Sequence, residues 1–79
     1  MTRNFVIAGN AHQYLTFLRT KMVRPEDYKY VGREEVLKGL DGKGTTIYFV
    51  GDYSSNKIAY CPTVHELKSR GALFAYSTL

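Results

Sequence analysis

The chain has 79 residues, 44% hydrophobic and 23% charged, with eleven Lys and Arg against seven Asp and Glu for a formal charge of +4. That length suits one domain, 1–79, with a thin core, because a fold of this size buries only about 60% of its unfolded surface. The apolar content excludes a disordered chain, the lone Cys61 excludes an internal disulfide, and no stretch reaches the ~20 apolar residues of a membrane span.

Met1-Thr2-Arg3-Asn4 leads into a short apolar run without the layout of a signal peptide, so the expectation is a soluble protein of the cytoplasm. Asn4-Phe5-Val6-Ile7-Ala8 is rich in aromatic and β-branched residues and closes at Gly9, which predicts a buried strand. Asn10 with Gln13 three residues later has the reciprocal capping pattern of a helix start. Ala11, Leu15, Leu18 and Met22 then recur at helical spacing, which predicts a helix from Ala11 to Met22 with these four inward.

Pro25, Glu26 and Asp27 form a connector, and Tyr28-Lys29-Tyr30-Val31 reads as a second strand. Arg33 to Leu40 predicts a short helix with Val36, Leu37 and Leu40 inward, weakened by Gly39 and ended by Asp41-Gly42-Lys43-Gly44. Thr45 to Val50, all β-branched or aromatic, is the strongest strand. Tyr53 to Tyr60 is ambiguous between loop, helix start and extended chain. Pro62 suits a first helical turn, and Gly71 a stop, so a helix is expected from Pro62 to Arg70 and a last strand at Ala72 to Tyr76.

The order β-α-β-α-β-α-β predicts a small three-layer Rossmann-like α/β fold, a four-stranded, mainly parallel sheet with helices on both faces. Continuously apolar strands fit a sheet covered on both sides. Strand orders 2-1-3-4 and 3-2-1-4 both satisfy the connection rules.

Open parallel sheets bind ligands beyond the carboxyl ends of their strands, where strand order reverses. Here those ends carry Gly9-Asn10-Ala11-His12, Gly32-Arg33-Glu34, Gly51-Asp52-Tyr53 and Tyr76-Ser77-Thr78. Gly9, Asn10, His12, Arg33, Gly51, Asp52 and Tyr53 are therefore candidates for one ligand rim. The same residues also suit plain βα turns, where Gly supplies positive φ and a polar residue caps the helix. A His12–Asp52 pair has the makings of an oriented base, but no Ser or Cys nucleophile stands in a recognisable motif, and catalysis is not expected. His65 has no link to His12. Two His and one Cys lack ligand spacing, so neither a metal nor a cofactor is expected.

Gly42-Lys43-Gly44-Thr45 superficially resembles the end of a phosphate loop, but it lacks the earlier Gly and opens a strand rather than a helix. The dinucleotide fingerprint is absent too, since Gly9 is followed by Asn10. Arg19, Lys21, Arg24 and Lys29, interleaved with Tyr28 and Tyr30, are candidate nucleic-acid contacts; solvated faces account for the same charges. Seven Tyr are too many for so thin a core. Tyr14, Tyr28, Tyr53 and Tyr60 are candidates for a partially exposed surface, and Tyr is enriched where proteins meet a partner; exposed sheet edges favour a homo-oligomer.

In Val6-Ile7-Ala8-Gly9-Asn10, Gln13-Tyr14-Leu15-Thr16-Phe17-Leu18, Pro25-Glu26-Asp27 with Tyr30-Val31, Leu37-Lys38-Gly39-Leu40, and Val50-Gly51, the chain resembles a loose group of short proteins encoded by bacteriophages. The resemblance covers most of the chain and weakens after Tyr53. It implies a Rossmann-like α/β protein of phage origin and no particular activity. The leading expectation is a non-enzymatic interaction protein, a phage accessory factor binding a host or phage protein. The alternative is a nucleotide- or nucleic-acid-binding module that uses the strand-end rim or the basic end of the first helix.

Overall fold

The first strand, β1 (Asn4–Ala8), runs up the middle of the sheet, and four of its five residues are buried. A computed structural model describes residues 4–77; residues 1–3, which carry the leader reading, and Thr78 of the strand-end rim lie outside them. The other elements are α1 (Ala11–Lys21), β2 (Tyr28–Tyr30), β3 (Thr46–Val50), α2 (Pro62–Ser69) and β4 (Leu73–Ser77), with 3-10 turns at Glu34–Val36, Tyr53–Ser55 and Lys57–Tyr60. The four strands form one parallel sheet in the order β2-β1-β3-β4. Of the two orders open to the connection rules, the chain takes 2-1-3-4, which puts the reversal point between β1 and β3.

Register assigns each side chain to a face. Val6 lies beside Tyr48 and Ala8 beside Val50; these face α1 together with Tyr28 and Tyr30. Phe5, Ile7, Ile47 and Phe49 point the other way, into a core shared with Val31, Leu37, Val64 and Leu67. Helical layers thus lie on both faces, as the alternating pattern predicts. They are unequal layers.

The α2 face is the larger apolar core, in which aliphatic side chains pack with Phe5, Phe49 and Phe74. The α1 face is packed by tyrosines: Phe17 lies against Tyr28 and Tyr48 with ring centroids 5.9 and 5.8 Å apart, and Tyr14 against Tyr30 at 5.1 Å. This rotates α1 away from the expected face. Phe17 and Leu18 are buried with Tyr14 half-buried, whereas Ala11, Leu15 and Met22 are exposed. Aromatic rings cover more area per side chain than Ala or Leu, so the aromatic stripe wins the contact.

The expected helix from Arg33 to Leu40 forms only as the single 3-10 turn Glu34–Val36. Gly39 adopts φ +80, which an α-helix does not accept. Leu37, fully buried, anchors the crossover in place of a longer helix. The ambiguous Tyr53–Tyr60 stretch resolves into two short 3-10 turns, the second capped by Asn56, whose side chain accepts from the Ile58 amide at 3.0 Å.

Candidate functional site

At the reversal point the strand ends are tied to one another. Asn10 caps α1 by accepting from the Gln13 amide at 2.9 Å, the first half of the capping pattern. The second half goes elsewhere. Gln13 Oε1 accepts from the Gly9 amide at 3.0 Å and the Asp52 amide at 2.9 Å, and its Nε2 donates to Asp52 Oδ2 at 3.1 Å. One side chain therefore bridges the ends of β1 and β3 with three hydrogen bonds. Behind it, Asn56 Nδ2 donates to the Ala8 carbonyl at 2.8 Å.

Gly9 is required for this closure. A Cβ there would stand 2.7 Å from Gln13 Oε1 and 2.9 Å from Asp52 Cβ. Gly51, at φ 55, turns the chain so that the Asp52 amide meets Gln13. The crevice where a doubly wound sheet normally takes its ligand is spanned by the protein's own amide groups.

The sequence-predicted rim residues divide accordingly. Gly9, Asn10, Gly51 and Asp52 come together around Gln13, which pattern reading had assigned only to a cap. His12 is exposed on the first turn of α1, and the Asp52 carboxylate is given to Gln13. Arg33 caps the 3-10 turn after β2, so β1 lies between it and Asp52. Tyr53 packs its ring on Phe49 at 5.3 Å and on Tyr76 at 5.7 Å. No signal in a single sequence reveals that Gln13 reaches across to β3, because the contact joins residues 39 apart.

The basic candidates do not form one stripe. Arg19 and Lys21 occupy the last turn of α1, where cations suit the helix dipole. Arg24 pairs with Glu26 at 3.8 Å. Lys29 is in register with Phe5, so it projects on the opposite face of the sheet from α1. Elsewhere, a groove of about 330 Å³ lies between α2 and the crossover, floored by Leu37, Leu40 and Leu67. Its two cations, Lys38 and Arg70, are paired in sequence with Glu34 and Glu66. Among the described residues no group of three His, Cys, Asp or Glu could hold a metal, and no helix is long and apolar enough to cross a membrane.

The tyrosines also separate by use. Tyr14 donates to the Tyr28 carbonyl at 2.6 Å, and burial, then the nearby Glu26 charge, raises its pKa above the ordinary value. Tyr48 is raised as well, by burial first and then by the neighbouring Tyr28, whose ring centroid lies 5.4 Å away. Tyr14 and Tyr28 are partially exposed, as expected, and their buried sides pack the α1 face of the sheet. Tyr60 and Tyr76 are the exposed ones.

Two of the exposed large apolar side chains, Leu73 and Tyr76, belong to β4. α1 packs on β1, β2 and β3, which leaves the β4 flank of that face open. There Leu73 is 67% exposed, in register with Thr46, and half-buried Ala75 lies beside half-buried Tyr48. On the other face Tyr76 is 63% exposed and stacks on Phe49 at 5.0 Å with an 18° tilt.

Sheet order, parallel register and the two helical layers define a small Rossmann-like α/β protein. No protein-family model, curated protein or solved structure matches the chain.

Proposed function

We propose that the chain is a non-catalytic interaction protein that meets a partner polypeptide on the open β3–β4 flank beside α1. The observation that carries this reading is the exposure of Leu73 on a face whose remaining strands are covered by α1. Contiguous uncovered apolar side chains mark contact surfaces, and on this flank Leu73 continues into half-buried Ala75 and Tyr48. The Gln13 bridge supports the same reading from the other side, because it occupies the crevice that a nucleotide would need.

The segments that resemble short phage proteins favour a phage accessory factor, acting on a host or phage protein in the bacterial cytoplasm. The experiment is affinity capture from host lysate with the immobilised chain and two variants. A specific partner is expected with the unaltered chain and with Leu15→Asp, and its loss with Leu73→Asp. Clean binding of nucleic acid in place of any protein, falling steeply with salt, overturns the reading in favour of the basic end of α1.

A further inference from the structure

We infer that the outer edge of β4 pairs with the same edge of a second copy of the chain, joining two sheets into one of eight strands about a two-fold axis. This rests on the proposed partner surface, which the second copy completes.

The backbone shows which groups the edge offers. Leu73 donates its amide to the Thr45 carbonyl at 2.9 Å, and the Ser77 carbonyl accepts from the Gly51 amide at 3.3 Å. Successive residues of a strand present N–H and C=O to opposite sides, so Leu73, Ala75 and Ser77 face β3 while Phe74 and Tyr76 offer theirs to the outside. β4 is an end strand of the sheet, and these outward groups form a template for another strand.

The two edges of the sheet differ in how they are protected. β2 is three residues long with an exposed Lys29 at its centre, a blunted edge. β4 is five residues, Leu-Phe-Ala-Tyr-Ser, without charge, Pro or Gly. The strand carries no charge of its own, so an identical strand laid along it opposes no like charge between the two β4 strands.

Geometry sets the register. An antiparallel pair centred on Ala75 places Phe74 opposite Tyr76 of the second copy, and Tyr76 opposite its Phe74. Both members of each pair point their backbone groups outward, as a hydrogen-bonded pair requires, and Ala75 meets Ala75 at a non-bonded position, where side chains approach most closely. The smallest side chain of the strand stands at the axis. Tyr76 then covers its exposed ring with Phe74 of the second copy, over which Lys68 already lies at 5.3 Å. On the α1 face, the two open flanks become one trough walled by both copies of α1. Five strand spacings separate the two β1 strands, about 24 Å, and subtracting a helix diameter of ~10 Å leaves room for one partner helix.

A strand of five residues is only about 17 Å long, so the paired edges cover less than the ~1,200–2,000 Å² of a stable complex. The association is therefore concentration-dependent. Sedimentation equilibrium of the full chain from low micromolar to near-millimolar concentration is expected to show the mass rising from one chain to two. Ala75→Lys and Ala75→Glu, each alone, place like charges across the axis and are expected to stay monomeric with unchanged circular dichroism. Mixed in equal amounts, they are expected to associate again.

A chain that stays monomeric throughout overturns the inference, as do charge variants that dimerise like the parent or a mixture that does not associate. Should the variants unfold, hydrogen exchange on the unaltered chain decides: slowing of the Phe74 and Tyr76 amides with concentration supports the pairing, and its absence overturns it. Partner capture by the folded monomeric variants separates the two readings, since capture without dimerisation removes the second copy and leaves the partner surface standing.

Discussion

Met22 ends α1 in the left-handed conformation at φ 56, and its amide reaches back to the Arg19 carbonyl. Glycine is the usual residue at that position because a Cβ crowds the following carbonyl. The Met22 side chain is 90% exposed, so its removal costs almost no packing. Met22→Gly is expected to relieve about 1 kcal/mol, worth about 4–8 °C in Tm for a domain of this size, as measured by thermal denaturation. A second residue-scale prediction concerns alkaline pH. The raised pKa of Tyr14 means that the folded chain holds this proton more tightly than the unfolded chain does. Its contribution is full below pH ~10, where unfolded tyrosine titrates, and is lost as pH rises through the folded value. Tyr48 acts in the same direction. Tm is expected to fall as pH rises above that point, and Tyr14→Phe to fall less steeply; parallel slopes would remove the assignment.

At the scale of elements, the crossover from β2 to β3 is the least regular piece and depends on one side chain. A single 3-10 turn has too few internal hydrogen bonds to hold itself, and Leu37 is fully buried against the α2 core. Leu37→Ala is expected to cost about 2–5 kcal/mol, read as a lower urea midpoint with little change in slope. The crossover's apolar positions were legible: Val36, Leu37 and Leu40 do face the core, although the helix expected to present them does not form. What hid the difference was Gly39, whose positive φ depends on where the following chain must go. α1 shows the complementary case. Its boundaries and Asn10 cap are local and were readable, but the buried stripe turned from Leu15 to Tyr14 and Phe17 because of rings on other strands.

For the whole molecule, the sheet is finished on one side and open on the other. If the β4 edges pair, binding is linked to folding, and apparent stability follows protein concentration. Tm of the unaltered chain is expected to rise with concentration, and that of Ala75→Lys to stay constant; a concentration-independent Tm in both counts against the pairing. The overall charge of +4 is spread over both faces rather than focused. It favours solubility over a dedicated phosphate-binding surface.

The sequence by itself determined the four strands, the first and last helices and the parallel α/β class, because these rest on side-chain pattern within a few residues. Only the tertiary structure decided the strand order, the use of the tyrosines as the α1-side core, and the Gln13 bridge from β1 to β3. Each of those depends on contacts between residues distant along the chain. The strand-end residues Gly9, Asn10, Gly51 and Asp52 were visible as a group in both. Whether they enclose a ligand or one another turned on the reach of a single amide side chain.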